Sequence, residues 1–498
     1  MSDPCLLRGG PLHPQALGTL DAVCRVVGGR LLCGAPGLRL QGVAADTRAV
    51  RPGDLFVALR GARVDAHALL GQAFAAGAGA VLVDREPGDA WGLSEVPAGC
   101  GAVVVPAVVP SLARLARVHL DALEPGPTVV GVTGSLGKTT TRGLIAAALS
   151  AGGAVLVPDE SFNTEISLPL TCLRADGGHR YAALELAMRG PGQIAQLARI
   201  CRPRVGVLTV IGESHLELLG SIEAIAAAKG ELLEALPGDG WAVLNADDPR
   251  QAAMAARSAA PVRTYGLQER ADVSAGDLRP LPAGRGWSCT ARLAGSGQSL
   301  PLQLPLLGRH QVASAMAALC CAELLGVEPH AAALALQRVS APGGRLTLRP
   351  CGDLLLLDDT FNAAPLSALA ALQTLTGLAA GGTRAAVLGD MLELGSAAEE
   401  GHWRVGRGAA AAALEWLITV GPLAQGIAHG AIAGGMAPGR VHAAPDAAAA
   451  EPLLLGLLGE TARGAVVLFK GSHAVGLDQL VAAAEGWAEP ASPASPGR

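Results

Sequence analysis

Aromatic side chains are scarce in this 498-residue chain: Phe, Trp and Tyr together make up 3%, so its cores must be built from Ala, Leu and Val. Charge is thin as well, at 16%, and the net charge of −5 at pH 7 offers no basic face for nucleic acid. Ten cysteines are present, but no C-x-x-C pair, which removes the usual thiolate spacings for metal or redox chemistry. The adjacent Cys320 and Cys321 read as buried helix thiols. No apolar run approaches the ~20 residues that span a bilayer, and the Ala-rich run from Gly408 to Leu414 stops at Glu415. The opening residues, MSDPCLLRGG, lack a basic segment followed by a long apolar one, so no signal peptide is expected. A cytoplasmic protein with no membrane span is the expectation.

What is abundant is apolar surface. Half of the residues are hydrophobic, enough for several cores, and the length suggests about three domains at roughly 150 residues each. Residues 1–124 mix short strands and helices. The turn EPGPT opens a middle section, 125–341, and a last section, 342–488, alternates strand-like and helix-like runs such as LLLLDD, RAAVLGD, WLITVGP and AVVLFKGS. Strands alternating with helices predict parallel sheets covered on both faces. The Pro/Ser-rich tail, 489–498, reads as disordered.

One junction carries chemistry. Thr128 to Val132 reads as a buried strand, and from Thr139 a helix is expected with Leu144, Ile145, Ala148 and Leu149 on one face. Between them, Gly134, Ser135, Leu136 and Gly137 let the backbone approach an anion, and N–H groups at the helix start point at it. Lys138 is placed to reach the outer phosphates of a nucleotide, and the Thr139 hydroxyl, followed by Thr140, to ligate Mg²⁺. The spacing departs from G-x-x-x-x-G-K-[ST], whose first glycine would fall on Val132; the glycines stand at 131, 134 and 137.

Other residues conflict with their surroundings in informative ways. Glu185 lies in the apolar run YAALELAM, where an unpaired carboxylate is costly to bury. A metal at the strand end, or an arginine, would resolve the conflict. In the helix expected from Ser221 to Leu236, Ile222, Ile225, Leu232, Leu233 and Leu236 form a stripe that Lys229 continues. Such a lysine either snorkels or is buried with its ammonium form disfavoured. Asp358–Asp359, Gly389–Asp390 and Lys470–Gly471–Ser472 each end a strand-like run. Polar groups at the carboxyl ends of parallel strands mark the ligand crevice of an open α/β sheet.

The order of motifs resembles the Mur ligases. TGSLGKTTT is similar to their variant phosphate loop. SFNTEISLPLT, GESHLELLGS, AAAKGELLEAL, NADDP, LLGRHQVASAMAA, APGGRL, LLLDDTFNAAPLSALAAL, VLGDMLELG and FKGSH follow in the family's order, and DTRAVRPGDLFVALRG resembles its nucleotide-sugar-binding segment. The resemblance implies an α/β protein of three domains: a small N-terminal substrate domain (1–124), a central P-loop-type parallel-sheet ATPase domain (125–341) and a C-terminal Rossmann-like domain (342–488). It implies ATP-driven amide bond formation through an acyl phosphate, and VLGDMLELG with DDTFNAAP points to the branch that joins D-alanyl-D-alanine to UDP-N-acetylmuramoyl-tripeptide, a step of peptidoglycan precursor synthesis.

By the same resemblance ATP and Mg²⁺ are the cofactors. The metal ligands are Thr139, Glu185, His215 and Lys229, the last carbamylated by CO₂. Arg345 and Asp359 approach ATP, Asn362 lies near the dipeptide, and Asp46, Thr47 and Arg48 lie near the uridine sugar. His215 can equally be structural and Arg48 a surface residue. Where the family often has H-N-x-x-N-A this chain has His310-Gln311-Val312-Ala313-Ser314-Ala315; Val210, Ala364, Phe361, Ser167 and His473 are further departures. A related amide ligase with another amino substrate, or an inactive nucleotide-binding homologue, are the competing expectations. The protein is expected to act on small molecules as a monomer.

Overall fold

The short apolar runs separated by glycine and proline become strands of three sheets, and the longer Ala/Leu-rich runs become the helices that cover them. This computed structural model describes residues 7–488 apart from 62–63, 87–90, 92–95, 160–161, 380–381 and 462; the tail 489–498 lies outside the described residues.

The first sheet has six strands. Its centre, Gly42–Ala44, Leu55–Val57, Ala80–Val83 and Gly101–Val104, is parallel, and Arg8–Pro11 and Arg30–Cys33 close the two edges antiparallel. The middle sheet has nine strands. From Ala154–Leu156 through His179–Glu185, Thr128–Thr133, Val205–Leu208 and Trp241–Asn245 to Val262–Gly266 it is parallel. It then continues as an antiparallel meander of Val273–Pro280, Trp287–Leu293 and Gln298–Leu304. The last sheet has six strands, parallel from Leu354–Asp359 through Val466–Lys470, Arg384–Gly389 and Trp416–Val420 to Val441–Ala444, with Thr347–Cys351 antiparallel on the edge.

Two kinds of seam join these units. One apolar cluster runs without a break from Leu17, Val23 and Leu112 in the first unit to Leu170, Ile194 and Leu232 in the middle one, and the Gly10 N–H donates to the Leu173 carbonyl across the seam at 3.1 Å. Burial of this kind is worth roughly 25 cal/mol per Å² of apolar surface. The last unit has its own clusters on the two faces of its sheet, to which, among the described residues, the middle unit contributes only Leu307. Its contacts with the middle unit include ion pairs and hydrogen bonds: Arg404 with Glu213, His215 with Glu393, and Arg345 with Thr139.

Cys320 and Cys321 are buried thiols of the His310–Leu324 helix, as expected. No helix among the described residues is long and apolar enough to cross a membrane.

Candidate active site

The strand Thr128–Thr133 ends at Gly134, and the helix Lys138–Ser150 begins after Gly137. Gly134 has φ 149°, and a Cβ there would stand 1.9 Å from the Thr209 Oγ1, so only glycine fits. Gly137, at φ 77°, is the residue before the helix. The loop between them is pinned from the neighbouring strand: the Ser135 N–H donates to the Val210 carbonyl at 2.7 Å, the Thr209 hydroxyl donates to the Leu136 carbonyl at 2.6 Å, and the Ser135 hydroxyl donates to the Gly212 carbonyl at 2.9 Å. The departure at Val210 is therefore harmless to the loop, because the contact it makes there is through its backbone.

Lys138 folds back over this loop, its Nζ 3.3 Å from the Ser135 carbonyl. Desolvation lowers its pKa below the ordinary lysine value; Glu185 opposes the shift and Arg345 adds to it. Thr139 is buried and its hydroxyl donates to Glu185 Oε2 at 2.8 Å. Asn163 donates to the other oxygen, Oε1, at 2.9 Å. Glu185 is 2% exposed, and among the described residues no cation lies within ion-pair distance of it. The arginine partner that the sequence left open is thus not what the fold supplies.

Lys229 is 2% exposed, on the inward face of the Ile222–Glu234 helix. It does not snorkel. Desolvation holds its amine well below the usual lysine range; the Lys138 charge pushes the same way and Glu185 pulls against it. Among the described residues its amine makes no hydrogen bond or ion pair. His215 precedes the short helix Leu216–Leu219, with Nδ1 2.6 Å from Glu393 Oε2. Burial lowers its pKa, Glu393 raises it, and Lys138 and Lys229 lower it further.

The last unit supplies the opposite wall. Arg345 donates from Nη2 to the Thr139 hydroxyl at 3.1 Å and lies 3.8 Å over the Phe361 ring, which stacks in turn on His473. Lys470, 3% exposed, bridges Asp359 Oδ2 at 2.6 Å and the Asn362 carbonyl at 2.8 Å. Burial raises the Asp359 pKa and Lys470 opposes it. A cavity of about 1310 Å³ lies between the walls, lined by Ser135 to Thr140, Glu185, His215, Arg345, Asp359 and Asn362 among others. Lys229 lies beneath it and is not part of its lining.

Not every strand-end group takes part. Asp390 faces away from the cavity and accepts from the Ala424 N–H at 2.6 Å, and the Ser472 hydroxyl accepts from the Leu392 N–H at 2.9 Å. Both hold loops of the last unit. Asp358 likewise pairs with Arg349 at 2.9 Å. The three residues of the first unit lie apart from the cavity: Asp46 caps the turn Thr47–Ala49 and pairs with the Arg48 guanidinium. Ser314 accepts from the Thr141 hydroxyl at 3.0 Å, so this departure joins two helices, and both Ser314 and Gln311 line the cavity. Sequence reasoning had quoted the segment holding Asn163 without singling it out, and it missed Glu213, Glu393 and Arg404. Asn163 was findable, being a polar residue in a short quoted motif. Glu213 and Glu393 likewise lie in the motifs GESHLELLGS and VLGDMLELG, but their pairing across units, like that of Arg404, leaves no local signal.

The oxygen donors gathered here, a buried carboxylate and a hydroxyl beside a phosphate-type loop, are hard ligands of the kind that suit Mg²⁺. The unpaired charge of Glu185 gives such a cation a reason to bind.

The matches to known proteins follow the same division. Residues 39–119 match the Mur ligase family catalytic domain, 132–322 the Mur ligase middle domain and 344–473 the Mur ligase glutamate ligase domain. The chain belongs to the Mur ligase family. Within it, the chain is similar to the UDP-N-acetylmuramoyl-tripeptide–D-alanyl-D-alanine ligase of Bacillus subtilis, at 34% identity over 89% of this chain and 92% of that one. The protein of the same name from Mycobacterium tuberculosis is 38% identical over 93% of this chain and 98% of that one. Among solved structures, MurF from Acinetobacter baumannii superposes with a TM-score of 0.84 at 27% identity, covering 96% of this chain and 99% of that one. The MurF ligase of Thermotoga maritima in complex with ADP gives 0.77 at 28% identity, covering 90% and 97%.

Proposed function

We propose that this protein is an ATP-dependent amide ligase that joins D-alanyl-D-alanine to UDP-N-acetylmuramoyl-tripeptide, giving the pentapeptide precursor of peptidoglycan. The observation that carries the reading is the meeting of Lys138, Thr139 and Glu185 from the middle unit with Arg345 from the last, at the mouth of one large cavity. The names of the relatives supply the substrates, and the ADP complex of the Thermotoga protein supports a nucleotide in this cavity.

In this reading the N–H groups from Gly134 to Thr140 hold the phosphates, aided by the dipole of the helix behind them. Lys138 leaves the Ser135 carbonyl to meet the γ-phosphate, and Arg345 adds charge from the opposite wall. Thr139, Glu185, His215 and a carbamylated Lys229 would hold Mg²⁺, which would supply neutralisation of the phosphate oxygens. Carbamylation joins the neutral Lys229 amine to CO₂ with loss of a proton and gives an anion that the Lys138 charge would favour, as it disfavours the ammonium form. The tripeptide carboxylate attacks the γ-phosphorus of ATP, the bond to the β–γ bridging oxygen breaks, ADP leaves, and the carboxylate becomes an acyl phosphate. The dipeptide amine, near Asn362, attacks its carbonyl, and phosphate leaves. Asp359 and its partner Lys470 shape the nucleotide side of the wall, and the walls exclude water that would hydrolyse the acyl phosphate. Asp46, Thr47 and Arg48 belong to the uridine-sugar end. The boundaries 1–124, 125–341 and 342–488, a monomeric state and a cytoplasmic location are parts of the same proposal.

The test mixes protein, ATP, Mg²⁺, UDP-muramoyl-tripeptide and D-alanyl-D-alanine and follows phosphate. Release should require both substrates; equal release without the dipeptide overturns the reading, and a faster reaction with another amino acid reassigns the amino substrate. Gly134→Ala gives a second check. Its Cβ must displace Thr209, so ATP affinity measured by calorimetry should fall about tenfold or more, a loss of about 1.4 kcal/mol.

A further inference from the structure

Two loops from different units meet beside the cavity, 212–219 from the middle and 391–397 from the last. Each carries a non-glycine residue in left-handed backbone, His215 at φ 55° and Glu393 at φ 62°. Side chains other than Asn, Asp and His seldom sit there, so Glu393 is the outlier of the two, and held outliers gather at working sites. These two residues touch each other. His215 Nδ1 is 2.6 Å from Glu393 Oε2, and the Glu393 carbonyl also accepts from the Glu217 N–H at 3.2 Å. Close approach of the loops depends on Gly395, where a Cβ would stand 2.8 Å from the Glu217 Cα. Arg404 and Glu213 form a second ion pair between the units.

We propose that Glu393 is a positioning residue that fixes the ring orientation and tautomer of His215, so that His215 is set for its task only when the last unit is docked. The inference rests on the ligase reading for the task of His215. The 2.6 Å approach falls outside hydrogen-bond geometry, so it is the carboxylate's charge beside Nδ1 that favours the proton there and leaves the other nitrogen, Nε2, with its lone pair. Nε2 makes no hydrogen bond among the described residues, and His215 lines the cavity. The Arg404 pair and the Glu217 N–H already join the two units. A carboxylate held on the ring of a cavity-lining histidine adds something a mere joint does not need.

The experiment is a double-mutant cycle on the full chain with a spectroscopic arm. Glu393→Ala should lower kcat by about 10- to 100-fold, the range seen when a partner behind a ligating side chain is lost. KM for ATP and dipeptide should change far less, and Glu393→Gln, which keeps an acceptor oxygen, should recover part of the rate. In a His215→Ala background the Glu393→Ala change should cost less than about twofold, because interacting residues are not additive. Losses that multiply overturn the proposal. Side-chain nitrogen spectra of histidine-labelled protein, with His215 assigned by its absence in His215→Ala, should show a single Nδ1-protonated ring that becomes a tautomer mixture in Glu393→Ala. An unchanged ring overturns the proposal, and this arm decides where His215→Ala leaves no measurable turnover. The spectra need no ligation, so an inactive wild-type chain would sink the ligase reading while the pairing is judged separately.

Discussion

Lys138→Ala is expected to abolish ligation, with kcat falling by about 10³-fold or more, as when a single phosphoryl clamp is removed. Lys138 is the loop's own cation, and its Nζ rests within 3.3 Å of the Ser135 carbonyl. No neighbour can stand in for it. Lys229 lies beneath the cavity, and Arg345 is already engaged with Thr139 and the Phe361 ring. The measurement is phosphate release under saturating substrates. Thermal unfolding should be nearly unchanged, because the side chain is only half-buried and makes no contact on which the core depends. A variant that keeps more than a tenth of wild-type turnover would remove the loop from the chemistry.

Lys229→Met is expected to inactivate the enzyme and at the same time make it more stable. The two effects have one cause. The residue is 2% exposed and its amine has no hydrogen-bond partner among the described residues, and an unmatched polar group in that setting costs about 1–3 kcal/mol. Methionine fills similar volume without the polar atom. A gain of roughly that size should appear in denaturant unfolding, alongside loss of turnover that bicarbonate does not restore. Stability bought at the expense of activity is the signature of a residue kept for its chemistry. If Lys229→Met unfolds more easily, the Lys229 side chain is held by a stabilising partner in the folded protein.

The sign of any pH effect on Lys229 follows from the same burial. Its folded-state pKa is depressed, so the unfolded chain takes up the proton first as pH falls. This group therefore favours the folded state at high pH and costs stability once pH drops below the ordinary lysine range.

Much of the middle unit was legible in the sequence because its signals are local. The strand–glycine–helix junction fits in a dozen residues, and the apolar stripe of the 222–234 helix carried Lys229 inward by periodicity alone. Glu185 announced itself by contrast with its apolar strand. What could not be read was anything set by the approach of distant segments. Thr139 and Arg345 are 206 residues apart and Glu213 and Arg404 are 191 apart, so no window of sequence contains either pair. The strand-end rule also over-reached: Asp359 and Lys470 reach the cavity, whereas Asp390 is spent on the Ala424 N–H. Position at a strand end says that a group is near the crevice; which way it turns depends on the loops that follow. Ser314 shows the converse, a substituted position that lines the cavity and also makes a helix-to-helix hydrogen bond that no local pattern announced.

The unlike seams have a mechanical consequence. Greasy packing welds the first two units into a single block, while the third is an arm fastened largely by charges and hydrogen bonds. A joint of charges and hydrogen bonds yields more readily than a continuous apolar seam, so whatever the block recognises should travel with the phosphate loop. On the proposed ligase reading, a different amine can then be fitted by changing the inner face of the arm without refitting the acid.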